Sequence, residues 1–221
     1  PTLTEVKEIA KTGKYDILPV SCEILSDFIT PIEAMRILQN VSTHCYLLES
    51  AQANEAWGRY TFLGYDPKLE INCIDGHMKL GKLSVETENP SEYIRQILSE
   101  YKSPKFDYLP SFTGGLVGYF SYDYLGYKEK SIRGKARDTE DFKDVDLMLF
   151  DKVIAFDNLC QKIILIANMS LDAPETGYNK AIVELKQLRE LLMHGEKKQN
   201  MGGKLLGEVT PLFEKEQYCD M

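Results

Sequence analysis

The sequence predicts an α+β fold built mainly on antiparallel strands, and three observations carry that expectation. Residues 69–74 and 77–80 are strand-like runs separated by Asp75-Gly76, a two-residue pair whose tolerance of positive φ makes it a hairpin turn. Residues 146–157 and 161–169 are nearly continuous apolar runs joined by Asn158-Leu159-Cys160, and they read as a second hairpin covered on both faces. Interspersed stretches with apolar residues every three or four positions mark helices. Strands joined by tight turns pair antiparallel, which sets this pattern apart from a doubly wound parallel sheet.

Residues 4–11 form a short helix, with Leu3, Val6, Ile9 and Ala10 on one side and Gly13 as its stop. Residues 15–24 alternate enough to be a strand. Thr30 is a good N-cap and Pro31 suits the first helical position, so a helix starts there with Ile32, Met35, Ile37 and Leu38 as its apolar stripe. Residues 45–48 and 60–63 are strands. Residues 90–101 form another helix on Tyr93, Ile94, Ile97, Leu98 and Tyr101. Residues 112–122, rich in glycine and aromatics, read as a strand leading into a turn or short helix. Residues 128–143 form a polar loop. The longest helix spans 175–194, with Tyr178, Ile182, Leu185, Leu188, Leu191 and Leu192 facing in and Gly195 ending it.

The composition then shifts. Residues 1–195 are expected to form one domain, 196–207 a linker, and 208–221 the start of a following domain. The final stretch reads as the first helix of that domain, so the chain is expected to be a truncated part of a larger protein.

The 221 residues carry a net charge of −8, which argues against nonspecific nucleic-acid binding. No apolar run reaches the ~18 residues of a membrane span, and the N-terminus lacks a signal-peptide core. A cytoplasmic protein without membrane or nucleic-acid partners is expected. Five cysteines lie without C-x-x-C spacing, with Cys45, Cys73 and Cys160 in apolar contexts. They read as buried free thiols of a reducing compartment. His44, His77 and His194 lack metal-ligand spacing.

Catalytic motifs are absent: there is no G-x-S-x-G, P-loop or H-E-x-x-H. The run Gly114-Gly115-Leu116-Val117-Gly118 lacks the Lys-Ser/Thr of a phosphate loop and is better explained by tight strand packing. Asp144 and Asp146 lack nearby partner carboxylates for a metal. The most informative stretch is YLLESAQANEAWGRYTFLGYDP at residues 46–67. Two short strands flank a polar connection containing Glu49, Ser50 and Arg59. A strand ending in Glu-Ser beside an Arg-aromatic pair can hold a small zwitterion, whose carboxylate needs a cation and whose ammonium needs acceptors. A structural ion pair between Glu49 and Arg59 is the competing explanation. Arg59 can also pair with another acidic neighbour in the fold.

Four segments together resemble the anthranilate synthase component I family of chorismate-utilising enzymes. They are LLES at 47–50, GRYTFLGYDP at 58–67, FTGGLVGYFSYD at 112–123 and DLMLFDKVIAFDN at 146–158, in the family's order and spacing. The resemblance implies strands packed as an orthogonal β-sandwich flanked by helices. It also implies that this chain is the N-terminal regulatory part, inactive alone, with the chorismate and Mg2+ site in a C-terminal portion. By the same resemblance, this part holds a tryptophan feedback site. The positions that carry over are Pro31, Glu49, Ser50, Trp57, Gly58, Arg59 and Tyr60, with Tyr60 and Trp57 flanking the indole. In the family, an Asn-Pro-x-Pro-type loop of the C-terminal portion completes the pocket. The complete subunit would convert chorismate and ammonia, the latter from a glutamine amidotransferase partner, to anthranilate and pyruvate. Two alternatives stay open: an aminodeoxychorismate synthase component I fragment, and a freestanding amino-acid-binding domain.

Overall fold

The computed structural model describes residues 1–50, 58–131, 142–199 and 202–221. Its elements form two five-stranded sheets with every strand pair antiparallel, an α+β architecture. The first sheet has the order β1-β10-β9-β3-β2: β1 Ile17–Leu25, β2 Cys45–Leu48, β3 Tyr60–Tyr65, β9 Lys152–Asp157 and β10 Lys162–Ser170. The second has the order β6-β5-β4-β8-β7: β4 Leu69–Ile74, β5 His77–Leu80, β6 Leu83–Glu86, β7 Gly115–Phe120 and β8 Val145–Phe150.

Helices α1 (Leu3–Lys11), α2 (Pro31–Val41) and α4 (Pro174–His194) cover one face of the first sheet. Local chemistry starts two of them. Thr2 with Glu5, and Thr30 with Glu33, form capping boxes in which each side chain satisfies the other residue's free backbone N–H. Pro31 occupies the first turn, where its missing N–H costs nothing. The core beneath α2 and α4 joins Leu38, Leu185 and Leu188 to Leu63, Ile163 and Leu165 of the sheet. The alternate residues Ile164 and Ile166 point to the opposite face, where Leu109, Phe106 and Phe112 cover them. The β9–β10 hairpin is therefore buried on both sides, as its continuous apolar runs predict. Helix α3 (Pro90–Ser99) packs Ile94 against Ile71, Met78 and Leu147 of the second sheet.

Several sequence expectations need correction. The run 146–157 is two strands, not one. The chain leaves β8 in the second sheet and enters β9 in the first across Asp151, the single polar residue between Phe150 and Lys152. It crosses the other way between β3 and β4 at Asp66-Pro67-Lys68, where Asp66 takes a φ of 52°. Strand β6 has no expected counterpart, because Leu83–Glu86 is mostly exposed and polar; a tight turn at Gly81, φ 60°, pairs Leu80 with Leu83. Of the cysteines only Cys73 is buried; Cys22 and Cys45 are partly buried, and Cys160 and Cys219 are exposed.

Gly118 lies in the edge strand β7 at φ 153°, and a Cβ there would collide with the carbonyl oxygen of Asp146 on β8. Close strand packing thus explains that part of the glycine run. After α4, residues 196–198 run along α2. Lys198 N–H donates to Arg36 O at 3.0 Å, Arg36 Nε donates back to Lys198 O at 2.9 Å, and Lys197 pairs with Glu33. Residues 202–221 are exposed throughout, including α5 (Lys215–Asp220).

Candidate functional site at one end of the first sheet

Strand direction gathers the expected site residues at one end of the first sheet. β1 and β9 run toward that end and finish at Leu25 and Asp157, while β3 and β10 start from it at Tyr60 and Lys162. β2 also finishes there, at Leu48, opposite Phe62. Glu49 and Ser50 follow directly, and both are exposed. Gly58, Arg59 and Tyr60 lead into β3 and are partly buried. Pro31 opens α2 after β1 has reached this end. Trp57 lies outside the described residues.

The dominant interaction here is one the sequence did not single out. Arg59 donates from Nε to Asp157 Oδ1 at 3.2 Å and from Nη2 to Asp157 Oδ2 at 2.7 Å, a two-pronged contact. The Asp157 side chain is 0% exposed and that of Arg59 is 37% exposed. Asp157 Oδ1 also accepts from the backbone N–H of Leu159 at 3.2 Å and of Cys160 at 3.0 Å. Asn158 Nδ2 donates to Gly58 O and to Thr61 Oγ1, both at 3.3 Å, and Asn158 N–H donates to Arg59 O at 2.8 Å. The β9–β10 turn therefore fixes the entry to β3. Burial raises the Asp157 carboxyl pKa, but the Arg59 and Cys160 hydrogen bonds outweigh it and hold the group below its ordinary value. The same Asp157 hydrogen bond pushes the Arg59 guanidinium up. The acidic partner of Arg59 is thus Asp157 rather than Glu49. An aspartate directly after the apolar run Val153–Phe156, as in IAFDN, is the signal that could have found it, because a buried carboxylate demands a cation.

Aromatic rings continue from this clamp across the sheet face away from the helices. The Arg59 guanidinium lies 4.8 Å from the Tyr60 ring centre. Tyr60 is 5.8 Å from Phe62, Phe62 is 5.6 Å from Phe112, and Phe112 is 6.5 Å from Tyr46. Tyr46 meets Phe150 of the second sheet edge-on at 4.7 Å, which links the two sheets. The Tyr46 hydroxyl is buried with no hydrogen-bond partner among the described residues, and burial raises its pKa. Gly64 leaves room for the Tyr46 ring, since a Cβ there would collide with it.

Asp144 and Asp146 are engaged elsewhere. Asp144 Oδ2 accepts from Tyr127 Oη at 2.7 Å and from Asp75 N–H at 2.9 Å, and Asp146 pairs with Lys143 at 2.9 Å. Among the described residues, no group of three or more His, Cys, Asp or Glu side chains could hold a metal ion. No described helix is long and apolar enough to cross a membrane.

Comparison with known proteins identifies the family of the chain. The family model for chorismate binding enzyme matches residues 43–221. Anthranilate synthase component 1 of Acetivibrio thermocellus is 31% identical over 237 aligned residues, which cover 99% of this chain and 46% of that protein. Its counterpart from Pseudomonas aeruginosa is 36% identical over 196 residues, covering 85% of this chain and 39% of that protein. The crystal structure of anthranilate synthase component I from Streptococcus pneumoniae has a TM-score of 0.49 and 25% identity, covering 75% of this chain and 36% of that one. The chain spans less than half the length of these curated relatives. It is homologous to their N-terminal part, and it belongs to the chorismate-binding enzyme family.

Proposed function

We propose that this chain is the N-terminal, tryptophan-sensing part of an anthranilate synthase component I. The observation that carries the reading is the convergence of Pro31, Glu49, Ser50, Gly58, Arg59 and Tyr60 at one end of the first sheet, from three separate stretches of chain. Ser50 and nearby backbone groups would meet the amino-acid head. Arg59 gives Nε and Nη2 to Asp157, so its Nη1 edge is the one that would face a ligand carboxylate. Tyr60 would lie against the indole.

The complete subunit would convert chorismate and ammonia to anthranilate and pyruvate, with ammonia supplied by a glutamine amidotransferase. Tryptophan at the sheet end would favour a less active arrangement of the whole, a coupling between two sites through their relative affinity for two states. Mg2+ would assist loss of the ring hydroxyl in the complete enzyme. Among the described residues the carboxylates do not form a set that fits it, so no step is assigned to them.

The test is calorimetric titration of the chain with L-tryptophan, beside feedback inhibition of the complete subunit. Ser50→Ala is expected to weaken tryptophan about tenfold or more, the worth of a hydrogen bond to a charged group. Inhibition that Ser50→Ala leaves unchanged would refute the assignment.

A further inference from the structure

The same sheet end carries a second feature, formed by other residues. Where β1 leaves the sheet and α4 returns to it, a cleft of about 650 Å3 opens, within the range of small-molecule sites. Ile24, Leu25 and Phe28 line it from β1 and the link to α2, and Arg189 and Met193 line it from the last turns of α4. Three of its large apolar side chains face solvent: Leu25 is 68% exposed, and Phe28 and Met193 are each 43% exposed.

The charges of this cleft are unequally committed. Lys162 is paired with Glu23 at 2.7 Å. Arg189 and Asp27 form no hydrogen bond or ion pair with each other or with any other described residue. One cation and one anion thus stand unpaired on a cleft with a largely apolar lining. That arrangement complements a zwitterion with an apolar body.

We propose that this cleft binds a free α-amino acid with a large apolar side chain. The carboxylate would lie on Arg189, the ammonium on Asp27, and the side chain against Leu25, Phe28 and Met193. This site shares no residue with the tryptophan site around Ser50 and stands independently of it.

L-Phenylalanine is the probe, because 3-phenylpropionate and phenethylamine each remove one of its charges. Amide chemical shifts of the chain are followed during titration to millimolar ligand. Phenylalanine is expected to shift Leu25, Phe28 and Cys160, and each analogue to bind about tenfold more weakly. Arg189→Gln and Asp27→Asn, both at exposed positions, should each weaken phenylalanine about tenfold. Ser50→Ala should leave this binding unchanged. The proposal is overturned if no shift appears in these residues, if shifts are confined to the surroundings of Glu49, Ser50 and Tyr60, or if Arg189→Gln binds as well as the parent chain. Tryptophan binding lost in Ser50→Ala while phenylalanine still binds leaves this site standing. The reverse, phenylalanine lost only in Ser50→Ala, removes it.

Discussion

The Arg59–Asp157 clamp makes a quantitative prediction. A wholly buried carboxylate whose cation is removed typically loses 3–5 kcal/mol, roughly speaking. Arg59 is 37% exposed and Asp157 keeps two backbone donors, which reduces that figure here. Arg59→Met, which strands the carboxylate, is therefore expected to cost about 3 kcal/mol. Asp157→Asn keeps the shape and an acceptor but loses the charge, and should cost about 2 kcal/mol. The double variant has neither charge, so it should cost about 3 kcal/mol, leaving a coupling of about 2 kcal/mol between the positions. Urea unfolding of the four proteins measures this, provided their m-values agree. The pH dependence has a definite sign. Asp157 titrates lower in the folded chain than in the unfolded one, so its stabilisation is present above the unfolded value of about 4 and is lost as pH falls through the lower native one. The parent chain and Asp157→Asn should differ most near neutrality and converge in acid. Additivity of the two substitutions within about 0.5 kcal/mol would refute the coupling. A stability gap independent of pH would refute the ionised pair.

Two further outcomes follow from packing. Gly118→Ala should destabilise by about 3 kcal/mol, since the methyl group meets the Asp146 carbonyl and the φ of 153° suits only glycine; an unchanged melting temperature would contradict that close approach. Tyr46→Phe removes a buried hydroxyl that lacks a hydrogen-bond partner among the described residues, while keeping the ring against Phe112 and Phe150. It should raise stability by about 1 kcal/mol, and a clear loss in urea unfolding would show that the hydroxyl is satisfied in solution.

Features written in adjacent residues were legible in the sequence. Thr30-Pro31 with Glu33 starts α2 because cap, fixed φ and return hydrogen bond all lie within one turn. Asp75-Gly76 makes the β4–β5 hairpin because both residues adopt positive φ, 49° and 84°. The division of 146–157 between two sheets was not legible. Phe150 and Lys152 belong to different sheets, yet only Asp151 interrupts the pattern, and an apolar run does not state which sheet will bury it. β6 escaped because its neighbours, not its own residues, hold it in place. The partner of Arg59 is 98 residues away, a separation over which local patterns carry no information. The gathering of Pro31, Glu49, Ser50 and Arg59 is likewise a property of strand order rather than of any one segment.

Arg59 illustrates why a residue at such a sheet end resists a single role. A guanidinium has five N–H donors; Asp157 takes one from Nε and one from Nη2, and Nη2 also donates to Cys160 Sγ at 3.8 Å. The clamp fixes the plane of the group, with Tyr60 stacked 4.8 Å away. A ligand carboxylate arriving at Nη1 would meet a donor that has already lost its rotamer freedom, and part of the entropic cost of binding would have been met on folding. Structural pairing and the proposed ligand recognition would therefore reinforce each other instead of competing. The same reasoning shows why Arg59 is a poor probe of recognition. Its replacement strands a buried carboxylate and loosens the entry to β3, so a loss of tryptophan response would follow from either role. Ser50, exposed beyond the end of β2, is not among the described partners of Arg59 or Asp157, so Ser50→Ala leaves the clamp in place and is the better test of the proposed tryptophan sensing.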